Sequence, residues 1–88
     1  MYFERGISIM FTRKIVIDTV EKVQTLVGAA TAAPFDVDIV NKTFIVNAKS
    51  IMGLFSIDRS NPITITANAD EGSEEAMAFF DKIGDLIV

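Results

Sequence analysis

The sequence of 88 residues predicts an α+β open-faced sandwich. A four-stranded antiparallel sheet carries three helices on one face, in the order βαββαβα. Three observations lead there. Segments at 13–18, 35–39, 43–48 and 63–68 carry the β-branched or alternating pattern of strands. Helical stripes alternate with hairpins and not with every strand, which favours an antiparallel sheet covered on one side. The length allows one domain with one core and no second domain.

Each element has its own justification. Arg13 to Asp18 is a β-branched run ending in a turn-forming acid. Val20, Val23, Val27 and Ala30 recur at helical spacing, with Asp18 or Thr19 as the cap and Glu21 completing an approximate capping box from Asp18. Pro34 stops that helix. Phe35, Val37 and Ile39 alternate with Asp36 and Asp38, and Asn41-Lys42 supplies a two-residue turn, less ideal than Asn-Gly but able to tolerate positive φ at the asparagine. Thr43 to Ala48 returns as the second arm of this hairpin. Lys49 to Ile57 is too short for a long helix, and Ser50 at its head reads as the N-cap of a short one. Asp58 to Pro62 is a turn cluster, and Ile63, Ile65 and Ala67 alternate with Thr64, Thr66 and Asn68. Ala76, Phe79, Phe80, Ile83, Leu86 and Ile87 share one face of a final helix capped by Ser73, with Glu74 and Glu75 at the end its dipole favours for negative charge. Ile15, Ile17, Val37, Ile39, Ile63 and Ile65 are the expected sheet side of the core.

Met1 to Ile9 fits poorly with this pattern. Glu4-Arg5-Gly6 can be encoded by a purine-rich run resembling a bacterial ribosome-binding site, with Met10 shortly after. Residues 1–9 are therefore expected to be a leader or extension outside the fold, and 10–88 the single domain. The alternative is an extra strand through Ile7 and Ile9.

Composition narrows the function. There is no histidine, hence no usual general base near neutral pH and no phosphohistidine; there is no cysteine, hence no thiol nucleophile or thiolate metal site. Twelve acidic against eight basic residues give a net charge of −4, which opposes nonspecific binding to nucleic acid or anionic membrane. The most apolar window, 26–35, is broken by Gly28 and Pro34 and falls short of the ~20 residues a membrane helix needs. The N-terminus lacks a continuous apolar core for a signal peptide, so a cytoplasmic location is expected. Asp36 and Asp38 read as solvent-side charges. Asp70, Glu71, Glu74 and Glu75 lack the ligand spacing of a calcium loop, and Gly53 and Gly72 are too isolated to cradle a phosphate. No enzyme, cofactor or metal site is expected.

The run Val46-Asn47-Ala48-Lys49-Ser50-Ile51-Met52-Gly53-Leu54-Phe55-Ser56 is different. Its Lys-Ser-Ile-Met-Gly core resembles the HPr family, the phosphocarriers of the bacterial sugar phosphotransferase system. It is most similar to Gram-positive HPr and to Crh, the catabolite-repression HPr homologue. At lower identity the resemblance extends from Met10 to the C-terminus. It implies the HPr-like open-faced sandwich, with the element order derived above. It also implies that Ser50 is the serine phosphorylated by HPr kinase/phosphorylase. Ile51, Met52 and Phe55, with Lys49 beside them, then meet protein partners, including a catabolite-control repressor. In so short a helix at least one of the three apolar residues should be exposed, Ile51 or Met52 first.

The family's Gly-x-His-x-Arg-Pro-Ala loop is missing. Asp18, Thr19, Val20 and Glu21 occupy that region, with Lys22, Val23 and Gln24 after them, and none is His, Arg, Pro or Gly. A helix N-terminus and an arginine favour phosphate there in the family, whereas Asp18 and Glu21 oppose it. Crh carries a glutamine instead of the histidine, and Gln24 is the candidate equivalent, inside the predicted helix. The arginine that helps phosphoserine engage the repressor belongs to the same missing loop. The expectation is an HPr-like protein without His-dependent phosphotransfer, a monomer that regulates by binding proteins and is switched at Ser50. Two alternatives stay open: a degenerate binding domain with no phosphorylation, and a phosphocarrier with a non-histidine acceptor such as Asp18, Thr19 or Glu21.

Overall fold

The helices sit where the strand periodicity leaves one face of the sheet apolar. The computed structural model describes residues 10–42, 44–70 and 72–88. The expected leader at 1–9 lies outside the described residues, as do Thr43 and Glu71. The elements are β1 (Met10–Ile15), α1 (Val20–Ala32), β2 (Val37–Asn41), β3 (Phe44–Asn47), α2 (Ile51–Ser56), β4 (Ile63–Asn68) and α3 (Glu74–Lys82), followed by a 3-10 turn at Gly84–Leu86. This is an α+β arrangement with a four-stranded antiparallel sheet and three helices, in the expected order.

The sheet order is β1-β4-β2-β3, every pair antiparallel. The register joins Ile15 to Ile63, Ile39 to Ile65 and Val37 to Ala67. These residues and Ile17 are all buried, so the six expected sheet positions do form one side of the core. Val23 and Leu26 of α1, Leu54 of α2 and Phe79 of α3 close over them. Phe79 meets the rings of Phe35 and Phe80 edge-on, at 5.7 Å and 4.9 Å between centroids. The opposite face presents the cross-strand rows Thr12–Thr66–Asp38–Asn47 and Lys14–Thr64–Val40–Ile45. Asp38 lies on that outer face, while Asp36 precedes β2.

Several expected details are corrected. β1 spans Met10–Ile15 and not 13–18, because its six residues pair with all of β4 and Pro62 ends that partner. Beyond it the Val16 N–H donates to the Leu86 carbonyl and the Val88 N–H to the Lys14 carbonyl. The C-terminal segment thus lies against the outer edge of β1. Those bonds also explain why α3 stops at Lys82. Gly84 is a poor helix former, and residues 86–88 gain extended pairing instead, with Ile87 bridging Ile15. The α1 stripe is rotated from the expected one: Val23, Leu26, Ala29 and Ala30 are buried, and Val20, the first helical residue, is exposed. Of the two expected caps, Asp18 and Thr19, it is Thr19 that holds the N-cap, its Oγ1 accepting from the Lys22 N–H at 3.2 Å. Phe35 falls before β2, and the hairpin's positive φ is at Lys42 (57°), not at Asn41.

Candidate functional site

The run from Val46 to Ser56 forms the link from β3 into α2. Asn47 Oδ1 accepts from the Lys49 N–H at 2.8 Å, and the Asn47 carbonyl accepts from the Ser50 N–H at 2.9 Å. This local turn of side chain on backbone delivers Ser50 to the N-cap of α2. Its Oγ accepts from the Gly53 N–H at 3.2 Å, and its carbonyl accepts from the Leu54 N–H at 3.0 Å. The expected N-cap role of Ser50 is met, and its side chain is exposed.

Gly53 has a packing reason. A Cβ there falls 2.7 Å from Val46 Cγ1 and 2.9 Å from Ser50 Oγ. The missing side chain lets α2 lie directly on β3. Leu54 is fully buried and anchors the helix, leaving its other side outward. Ile51 and Phe55 are about 40 % exposed and Met52 is 81 % exposed. Lys49 is exposed beside them.

One residue of this surface was not singled out from sequence. Arg59, in the turn cluster after α2, folds back so that its guanidinium carbon is 5.0 Å from the Phe55 ring centroid. Its Nη1 donates to the Ile17 carbonyl at 3.0 Å, and its Nε is buried without a protein partner. Arg59 thereby joins α2 to the end of the β1–α1 connection. No local pattern signals this, because the bond spans 42 positions.

That connection and the first turn of α1 hold the residues expected at the degenerate phosphoacceptor loop. Asp18 pairs with Lys22 Nζ at 3.1 Å, one helical turn on. The hydrogen bond from Lys22 holds the Asp18 carboxyl below the usual carboxylate range, with Arg59 adding a more distant positive charge. Thr19 is occupied as the cap of α1, Val20 is exposed, and Glu21 is exposed in the first helical turn. Gln24 is exposed in the body of α1. The structure thus brings the Asp18 region and the α2 surface together through Arg59, with Ser50 at the far end of α2.

On the other flank of α2, a groove of about 250 Å³ lies between the helix end and the β2–β3 hairpin, with Phe44, Val46, Ser56 and Ile57 in its walls. Asp58 at its rim accepts from both the N–H and the hydroxyl of Ser60, and these bonds lower its pKa. Among the described residues no group of three or more His, Cys, Asp or Glu side chains is placed to hold a metal ion, and no helix is long and apolar enough to cross a membrane. No family model matches the chain, and no curated protein or solved structure matches it either.

Proposed function

We propose that the chain is an HPr-like regulatory protein that acts by binding other proteins through α2, with Ser50 as a phosphorylation switch and no phosphotransfer through histidine. One observation carries the proposal: an accessible serine hydroxyl caps α2 immediately before a helix side that leaves Ile51, Met52 and Phe55 exposed. Phosphate on the Ser50 oxygen stays at the positive end of the helix dipole and adds about −1.5 to −2 charge beside the apolar surface. Docking of an apolar partner surface then changes with the charge at its rim. Lys49, the residue before Ser50, is a ready cation for that phosphate.

The β1–α1 connection supports the absence of carrier chemistry. Asp18 is ion-paired, Thr19 spends its oxygen on the helix cap, and two carboxylates at the start of α1 repel a phosphoryl group. The proposed location is the bacterial cytoplasm, with HPr kinase/phosphorylase and a catabolite-control repressor as partners.

The test is intact mass after two incubations, one with ATP and HPr kinase, the other with phosphoenolpyruvate and enzyme I. One added phosphate in the first mixture, absent in Ser50→Ala, is expected. An acid-labile phosphate in the second identifies a non-histidine carrier instead. No addition in either leaves an unphosphorylated binding domain and refutes the switch.

A further inference from the structure

A second hollow, of about 300 Å³, lies at the end of the sheet where β4 begins. Four separate stretches of chain wall it: Lys14 of β1, Asn41 and Lys42 at the hairpin turn, Asp58 and Asn61 of the turn cluster, and Thr64 of β4. Among the described residues no hydrogen bond or ion pair engages the side chains of Lys14, Asn41, Lys42, Asn61 or Thr64. Asp58 differs: one carboxylate oxygen, Oδ1, accepts from the N–H and the hydroxyl of Ser60, at 3.0 Å and 2.6 Å. Its Oδ2 is left without a partner. Five side chains with unused donors and one unused carboxylate oxygen thus line a single concavity, the arrangement of a small-ligand site. Lys42 sits there at a backbone cost, because its φ of 57° is one that glycine or asparagine adopts more easily.

The charges of the hollow select the ligand. Asp58 feels Lys42 and offsets one of the two lysines, so one positive charge remains in a chain of net charge −4. A bare anion meets the Asp58 carboxylate, whereas a ligand that joins an anion to a hydroxyl satisfies lysines and carboxylate together. Lysines act as point charges with rotatable donors, which suit the three terminal oxygens of a phosphate. The planar arginine fork that matches a carboxylate is absent from these walls. We infer that this hollow binds a small phosphomonoester that carries hydroxyl groups. The phosphate lies between Lys14 Nζ and Lys42 Nζ, with the Asn41 and Asn61 amides and the Thr64 hydroxyl as further donors. A ligand hydroxyl donates to Asp58 Oδ2, and the carbon chain rests on Val40 and Pro62. Ser50 lies at the other end of the sheet, beyond the Asp38–Asn47 pair, so neither reading depends on the other.

Amide NMR titration of the full chain with glycerol 3-phosphate at low salt tests it. Inorganic phosphate, glycerol and sodium chloride at equal ionic strength are the parallel probes. Saturable shifts are expected at residues 14, 41, 42, 58–61 and 64, with inorganic phosphate severalfold weaker and glycerol or sodium chloride giving no such pattern. Lys14→Gln and Lys42→Asn should each weaken binding at least threefold; asparagine tolerates the positive φ, so the second change spares the turn. Asp58→Asn keeps an acceptor for Ser60 but loses the charge, and should strengthen inorganic phosphate and narrow the preference for the ester. Shifts that fail to saturate, that sodium chloride reproduces, or that spread beyond this end of the sheet overturn the inference. So does affinity retained in either lysine variant, inorganic phosphate binding as tightly as the ester, or an Asp58→Asn protein that keeps the preference in full.

Discussion

Replacing Gly53 by alanine should destabilise the domain, although alanine is the better helix former by about 1 kcal/mol. The new methyl lands 2.7 Å from Val46 Cγ1 and 2.9 Å from Ser50 Oγ. Val46 is β-branched with a restricted χ1, and it packs against the core, so it does not swing away freely. Overpacking of this kind costs about 1–3 kcal/mol. Ser50 can retreat only by giving up the bond from the residue-53 N–H, the cap of α2, which costs about 1 kcal/mol more. The losses outweigh the gain by about 1–3 kcal/mol, and each kcal/mol lowers Tm by roughly 4–8 °C in a domain of this size. Thermal and urea melts of the wild type, Gly53→Ala, Val46→Ala and the double variant measure this. The double variant should be more stable than the sum of the single changes predicts, since truncating Val46 removes the clash. A Gly53→Ala protein as stable as wild type, or a cycle without coupling, refutes the reasoning.

Other substitutions test the remaining contacts. Ser50→Ala should cost about 1 kcal/mol through loss of the α2 cap, and Ser50→Asp, which can also cap, should cost less; urea midpoints compare them. Arg59→Ala removes the donor to the Ile17 carbonyl and the stack on Phe55, and should cost about 1–2 kcal/mol in the same assay. Arg59→Lys should recover little of it, because an ammonium lacks the planar fork that makes both contacts. Asp18 has its pKa lowered by folding, so its stabilising contribution is present above the unfolded carboxylate value near pH ~4 and is lost as pH falls through the folded value. Lys22→Gln should raise the Asp18 pKa in a carboxyl NMR titration and flatten the acid limb of the stability profile. An unchanged Asp18 titration would count against the Lys22 pairing.

Much of the site was legible because it is local. Ser50 stands at the head of a short apolar run, and only its own turn and the next peptide groups are needed to make it a cap. The exposure of Ile51 and Met52 follows from a six-residue helix having too few positions to bury every apolar residue. Gly53 was legible only as part of the Lys-Ser-Ile-Met-Gly run and as a glycine too isolated to cradle a phosphate. That it is a contact point with Val46 depends on how α2 crosses β3. Arg59 was not legible at all, because a cation in a turn cluster looks solvated until the chain returns it to Ile17 and Phe55. The last apolar run misled for a related reason. Ile83, Leu86 and Ile87 satisfy a helical face, yet Gly84 and the open edge of β1 draw residues 86–88 into extended pairing.

By itself the sequence determined the element order, the caps at Ser50 and Ser73 and six buried apolar positions on the sheet side of the core. Periodicity and side-chain hydrogen bonding act over only a few residues. It also determined the absence of histidine and cysteine, which bounds the chemistry whatever the fold. Tertiary structure alone decided where β1 and α3 stop, which face of α1 is buried, and that Arg59 joins Phe55 to the Ile17 carbonyl. Those outcomes depend on pairings between distant segments. A backbone group at the end of a strand or helix takes the partner the fold brings to it, and that partner is written elsewhere in the chain.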